Sequence, residues 1–218
     1  MRLSTATLSR LPKSVRLPGY DRDKSGIGIV HLGVGAFHRA HQAAVIEDCL
    51  GRGETGWAIA GASLRSAETR DALAPQDNLY TMSVRSAAGE ALSVIGALRE
   101  SHVAPENPAA LLARMAAPET RIVSLTVTEK GYCHDPATGQ LNEAHPDILH
   151  DLANPDRPRS AIGYLAAALK ARRAAGLRPF TVLCCDNLPA NGRTVKRVID
   201  RFAALLDADF GQWVAGEV

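Results

Sequence analysis

The feature that most constrains the fold is a six-residue run bounded by glycines, "GIVHLG" at positions 28 to 33, which breaks into Gly33-Val34-Gly35 just where a helix should begin. A short apolar run with no polar alternation has the pattern of a strand buried on both faces. Helix periodicity follows over residues 36 to 50, where Ala36, Ala40, Ala43, Ile46 and Leu50 form a stripe of mostly small side chains that can lie close against a sheet. The next apolar run, "WAIAGASL" at 57 to 64, comes after the turn-like "GRGETG". Strand, glycine turn, helix and strand make a βαβ unit, whose crossover is right-handed.

The remainder continues the alternation. "LYTMSVRS" and "ALSVIGAL" flank "AAGE" as a β-hairpin, and Asn107 with Pro108 opens a helix over 107 to 116. "TRIVSLTVT" at 120 to 128 is a strand and "HDPATGQ" a loop. A helix from Ser160 to Ala175 is stopped by Gly176, the strand "FTVLCCD" occupies 180 to 186, and a helix over 192 to 206 turns Val195, Val198, Ile199, Phe202 and Leu206 inward. The fold class is therefore α/β: a doubly wound, mostly parallel sheet with a hairpin insertion. All 218 residues read as one domain, with 1 to 26 as an extended lead-in.

Composition excludes some functions. Lys and Arg number 25 against 23 Asp and Glu, so the net charge of +2 gives no field for nucleic acid or a membrane surface. The basic, Ser- and Thr-rich start lacks the apolar centre of a secretory signal, and no run reaches the ~18 apolar residues of a membrane span. Cys49, Cys133, Cys184 and Cys185 show no C-x-x-C spacing, which favours neither a disulfide framework nor a zinc site and fits a cytoplasmic setting.

In an open parallel sheet, ligands bind beyond the C-terminal strand ends. Four polar clusters sit at such ends: "GVGAFHRAH", "LRSAE", "TEKGYC" and "DNLPANG". Gly33-x-Gly35 serves either a tight turn alone or the approach of a pyrophosphate to free helix-start amides, and His38 stands where the usual fingerprint has its third glycine. His38 and His41, one turn apart, either share a metal or line the cleft; with no further ligands to complete a zinc shell, no metal site is assigned. No acid for the ribose hydroxyls of NAD stands right at the end of the second strand: Arg65 and Ser66 come first, leaving room for an NADP phosphate beside Arg65, and Glu68 follows as either a ribose ligand or a solvated loop or helix-cap acid. Asn187, after Asp186, either donates to a polarised substrate oxygen or caps a turn. Glu129 and Lys130 either handle protons and charge or form a surface pair, and the residues alone reveal no general base.

Taken together, "IVHLGVGAFHRAHQA", "SLTVTEKGYC" and "CDNLPANG", with "HDLANPDRPRSAIGYLAAALKARRAAG" between the last two, closely resemble the N-terminal half of the mannitol dehydrogenase family. That family comprises long-chain polyol dehydrogenases together with fructuronate and tagaturonate reductases. The resemblance implies a Rossmann-type domain in a zinc-independent oxidoreductase that moves hydride between NAD and a sugar alcohol or sugar acid, with NADP as the other candidate cofactor. It implies a cofactor loop running from Ile29, Val30, His31 and Leu32 through Gly33, Val34, Gly35 and Ala36 to Phe37, His38, Arg39 and Ala40, the "FHRAH" group lining its entrance. It makes Asn187 the hydrogen-bond donor to the reacting oxygen and puts Glu129 near the proton path. Family members carry their lysine base in a helical C-terminal domain, within a K-x-x-x-x-N-x-x-H pattern absent from these residues, so that domain is the expected partner. The chain reads as a truncated cofactor half with little turnover of its own and an apolar face left uncovered. Lys130 inclines the substrate toward a carboxylate of the fructuronate type. The competing reading is a non-catalytic nucleotide-binding module that senses redox state.

Overall fold

Strand β1 (Ile27–Leu32) is buried along almost its whole length because it lies at the centre of a five-stranded parallel sheet. The computed structural model describes residues 2–218, and Met1, the first residue of the expected lead-in, lies outside them. On one side β1 pairs with β2 (Ala58–Ser63), which pairs in turn with β5 (Leu98–Val103). On the other side it pairs with β6 (Ile122–Leu125), which carries β7 (Thr181–Cys184) at the edge. The order β5-β2-β1-β6-β7 is a doubly wound, Rossmann-type arrangement in which the order of strand addition reverses between β1 and β6. A separate antiparallel hairpin, β3 (Tyr80–Ser86) and β4 (Gly89–Ile95), is the insertion.

Side chains alternate across β1 and so divide the core. Ile29 packs with Ala43, Leu50, Ile59, Leu73 and Leu98 on one face. Val30 and Leu32 pack with Leu111, Met115, Leu165, Leu169 and Phe202 on the other. The first face is covered by α1 (Ala36–Ala40), α2 (Gln42–Gly51) and α3 (Glu68–Leu73), the second by α4 (Pro108–Ala116), α6 (Ala161–Ala174) and α7 (Asn191–Leu206). Caps mark the starts of α4 and α6: Asn107 Oδ1 accepts from the Ala110 amide at 3.0 Å, and Ser160 Oγ from the Gly163 amide at 2.9 Å. Gly176 follows α6 with a φ of +68°, the left-handed stop that its sequence position indicates.

Several expectations need correction. The helix over 36 to 50 is two helices, because the backbone breaks at His41 (φ −117°, ψ −81°). Its stripe changes accordingly: Ala36 and Ala40 are exposed, and α2 buries Ala43, Glu47 and Leu50. "ALSVIGAL" is not one strand. It ends its hairpin role at Ile95, and the chain re-enters at Leu98 as β5 in the main sheet. Gly96 makes this turn under the Arg22 side chain, where a Cβ would lie 2.9 Å from Arg22 Cδ, and its amide donates to Glu47 Oε2 at 2.7 Å. The lead-in is packed as well as extended: Arg16 bridges to Ser93 beside the hairpin, and the Tyr20 hydroxyl donates to Glu47 Oε2 at 2.8 Å. Three helices, α3, α5 (Pro146–Ala153) and α8 (Ala208–Glu217), stand where none was anticipated. The strongly exposed large apolar side chains, Leu17, Phe37, Val45, Val84, Leu149 and Leu183, come singly from six different segments and form no continuous apolar stripe on any one element. No helix among the described residues is long and apolar enough to cross a membrane.

Candidate functional site

The strand-order reversal places the C-terminal ends of β1 and β6 side by side, and the chain leaves β1 through Gly33. A Cβ on Gly33 would collide with the Thr126 carbonyl, and its φ of +101° suits glycine alone. The approach is locked by the Gly33 amide donating to Ala62 O at 2.8 Å, the Thr126 amide to Leu32 O at 2.9 Å and Thr126 Oγ1 to Gly33 O at 2.7 Å. Val34 then drops onto Gly61 of β2, where a Cβ would meet Val34 Cγ2 at 2.5 Å. Gly35 is different. Its φ of −82° is open to any residue and no other part of the chain crowds it, so its lack of a side chain serves to keep the mouth of the turn clear. Beyond it the amides of Ala36, Phe37 and His38 have no hydrogen-bond partner among the described residues, as at any helix start.

The "FHRAH" group divides between inside and outside. His38 is 1% exposed and stacks on buried His31, so it does not line the entrance. Arg39 turns back to brace the loop, its Nη1 donating to Val34 O at 2.9 Å. Phe37 and His41 are exposed and stack on each other at 5.2 Å, so His38 and His41 point apart and share no ligand position. Ile29, Val30 and Leu32 belong to the core. From the stretch 29 to 40, only Gly33, Val34 and Gly35 line the crevice.

Hydrogen bonds fix the protons of the histidine pair. Thr126 Oγ1 gives its proton to Gly33 O, so His31 Nε2 donates to Thr126 Oγ1 at 2.8 Å and Nδ1 accepts from Ser124 Oγ at 2.8 Å. Gln42 gives its amide hydrogen to Ser124 Oγ and turns Oε1 toward His38 Nδ1 at 3.0 Å, which places the His38 proton on Nδ1 and leaves Nε2 buried without a partner among the described residues. Burial, with the neighbouring ring, holds His31 well below the usual histidine range, and burial lowers His38 to about 4. Both rings are neutral at pH 7.

The opposite walls of the crevice, whose volume is about 450 Å³, come from the ends of β2 and β6. Ser63, Leu64, Arg65, Ser66 and Thr69 form one wall; Thr126, Val127, Thr128, Lys130, Gly131 and Cys133 form the other. Glu68, the exposed first residue of α3, stands between Ser66 and Thr69 in sequence but is not itself on the wall. Asp186 sets the second wall. Its carboxylate accepts from the Val127 amide at 2.9 Å, the Thr128 amide at 3.3 Å and the Tyr132 hydroxyl at 2.6 Å, while Thr128 is held at a φ of +67°. Burial and the adjacent carboxylate raise the Tyr132 phenol far above its ordinary range. Asn187, Glu129 and Lys130 are exposed.

A second cleft of about 770 Å³ adjoins the first and shares Leu64, Arg65, Asp147 and Arg159 with it. Sequence reasoning passed over two of its residues, Arg157 and Arg159. Both are exposed, and neither they nor Arg65 form an ion pair among the described residues. They lie in a proline-flanked loop without periodicity, where the Arg157 amide donates to Asn154 O at 3.0 Å and Arg159 is fixed by Asp151. Its buried carboxylate accepts from the Arg159 and Ser160 amides at 2.7 and 2.9 Å and from Ser160 Oγ at 2.6 Å.

A parallel sheet whose order reverses at a glycine turn, with a polar groove along its C-terminal edge, defines the class of Rossmann-type α/β domains. Residues 27–218 match the family model described as the mannitol dehydrogenase Rossmann domain. Mannitol 2-dehydrogenase of Pyricularia oryzae is 46% identical over 208 residues, 93% of this chain and 41% of that protein. The Cereibacter sphaeroides mannitol 2-dehydrogenase is 47% identical over 211 residues, 95% of this chain and 44% of that protein. Among solved structures, the Pseudomonas fluorescens mannitol 2-dehydrogenase ternary complex with NAD and D-mannitol superimposes with a TM-score of 0.96 at 42% identity, covering all of this chain and 45% of that one. A substrate-free D-sorbitol dehydrogenase gives 0.92 at 37% identity, covering 98% of this chain and 45% of that one. The chain belongs to the mannitol dehydrogenase family and spans less than half the length of these relatives.

Proposed function

We propose that this chain is the cofactor-binding part of an NAD-dependent polyol dehydrogenase that moves hydride between nicotinamide and a sugar alcohol and ketose pair of the mannitol and fructose type. The observation that carries the reading is the close passage of Gly33 over Thr126 at the strand-order reversal, on a backbone that superimposes on a dehydrogenase complexed with NAD and D-mannitol. The residues present fit a dinucleotide. Gly33 and Gly35 keep side chains out of the turn, the open amides of Ala36, Phe37 and His38 supply donors for a pyrophosphate, and the two adjoining clefts give an extended groove. Arg65 and Glu68 offer contacts of opposite charge toward the adenosine end. NAD, when bound, supplies the hydride acceptor. Asn187 donates an amide hydrogen to the reacting oxygen, and Glu129 stands at the solvent side of the proton path.

No K-x-x-x-x-N-x-x-H run occurs in these 218 residues. The alkoxide proton therefore has no lysine acceptor here, and we assign this chain cofactor binding with little turnover in isolation. The four free cysteines fit a reducing cytoplasm. Titrating the purified chain with NADH and following nicotinamide fluorescence tests the core of the reading. Saturable enhancement that Gly33→Val abolishes supports it, and unchanged fluorescence with both NADH and NADPH overturns it.

One observation favours a second substrate class. Lys130 is exposed on the crevice wall, where a substrate carboxylate of the fructuronate type finds a counter-charge. Assay of the complete enzyme with mannitol and with mannonate separates the two, and the names carried by the relatives support mannitol.

A further inference from the structure

Cys133, His145 and Asp147 meet where the loop after β6 returns to the crevice. The Cys133 sulfur, an imidazole nitrogen of His145 and a carboxylate oxygen of Asp147 all lie within 4.8 Å of one another. Three independent restraints bring them there. Cys133 takes a left-handed backbone (φ 51°) after the 3-10 turn Glu129–Tyr132, and its carbonyl accepts from the Asn142 amide at 2.9 Å. The bridge between His134 and Leu141 closes the intervening loop. His145 caps α5, its Nδ1 accepting from the Asp147 amide at 3.2 Å, so both residues sit on a fixed helix start.

We propose that these three side chains form a binding site for a borderline divalent cation of the zinc class. A point equidistant from three atoms spaced as widely as these lies about 2.8 Å from each, whereas zinc sits ~2.0 to 2.3 Å from nitrogen, oxygen and sulfur ligands. Side-chain rotation of well under 1 Å per ligand closes that gap. A mixed sulfur, nitrogen and oxygen set selects zinc or cobalt over magnesium and calcium, which take oxygen alone. A thiolate and a carboxylate together balance the charge of a divalent ion. Cys133 and Asp147 both line the crevice, so the fourth coordination position faces solvent in the groove. The site shares no residue with the glycine turn, Asn187 or Glu129, although Cys133 and Asp147 line the crevice assigned above to the dinucleotide. The sequence conceals it, since eleven residues separate Cys133 from His145 and no recurrent ligand spacing results.

Cobalt is the probe. Adding Co²⁺ to metal-free protein produces a near-ultraviolet thiolate-to-cobalt charge-transfer band that saturates at one equivalent and disappears on addition of Zn²⁺. Cys133→Ser removes the band, and Cys49→Ser leaves it intact. His145→Asn keeps an oxygen cap on α5 while deleting the imidazole, and lowers zinc affinity by roughly tenfold or more. The proposal is overturned if wild-type protein shows no such band, if the band survives in Cys133→Ser, or if His145→Asn binds zinc as wild type does. Should Cys133→Ser fail to fold, the His145→Asn comparison decides alone.

Discussion

His31 and His38 stack with ring centroids 3.5 Å apart and planes inclined by 11°, directly beneath the glycine turn that opens the crevice. His31 Nε2 lies 3.1 Å from Gly33 O, so the pair is mechanically joined to the turn. Two stacked rings cannot both take a proton without repulsion, and neither has water to solvate one.

Acid should therefore weaken this region first. Above pH 6.5 both rings are neutral in the folded and the unfolded chain. Below it the unfolded chain takes up protons that the fold refuses, so stability falls with pH until His38 itself protonates near 4, with His31 lower still. Between pH 6.5 and pH 5 the loss from His38 is about 1.6 kcal/mol, and His31 adds to it in the same direction. Glu47, whose carboxyl is raised by burial, acts in the opposite direction, so the difference between wild type and His38→Gln isolates the effect. Urea unfolding at the two pH values should show a smaller drop in the variant; equal drops would count against a shared neutral pair.

The two glycines of the turn should respond differently to alanine. Gly33→Ala places a methyl against the Thr126 carbonyl on a backbone that side chains rarely adopt, and should cost about 3 kcal/mol with loss of NADH binding. Gly35→Ala meets no other part of the chain at an ordinary φ and should change stability by less than about 0.5 kcal/mol, while narrowing the mouth enough to weaken NADH. Thermal melts and NADH titrations of both variants check this. Equal destabilisation would show that the close approach to Thr126 is not what fixes Gly33.

The same turn shows how far the sequence could be read. "GIVHLG" announced a buried strand because its apolar run has no alternation, and the glycine turn, α4, α6 and α7 announced themselves through caps and periodicity. What remained hidden depended on long-range contacts. His38 looked like an entrance residue because nothing local indicates that His31, seven positions earlier, accepts it in a stack. The break at His41 has no proline or glycine to mark it. Gly96 read as part of a strand because its turn is imposed by Arg22 and Glu47, both distant in sequence. α5 was legible in hindsight, with Pro146 at its first position, but the turn-rich stretch before it obscured the start.

Asp186 should govern the second wall. Asp186→Asn keeps the shape but removes a charged acceptor from two amides and the Tyr132 hydroxyl, a change worth about 1 to 3 kcal/mol. Tyr132→Phe removes a single bond from the same carboxylate and should cost less, about 1 kcal/mol. Hydrogen exchange of the Val127 and Thr128 amides provides the local readout. Faster exchange in Asp186→Asn but not in Tyr132→Phe is the expected pattern, and unchanged protection in both would place the anchor elsewhere.

Cofactor choice should turn on Arg65 and Glu68, which follow β2 with opposite charges. Arg65 lines both clefts and has no acidic partner among the described residues, so it is available to a phosphate on the adenosine ribose. Glu68, exposed at the start of α3, can accept hydrogen bonds from ribose hydroxyls and repels that phosphate. Arg65→Ala should therefore weaken NADPH more than NADH, and Glu68→Ala should do the reverse. A shift of about tenfold in the ratio of the two dissociation constants corresponds to ~1.4 kcal/mol, the size of one charge-assisted contact. Parallel fluorescence titrations of the two variants with both cofactors supply the ratio. If each variant weakens NADH and NADPH by the same factor, neither side chain discriminates between the two cofactors.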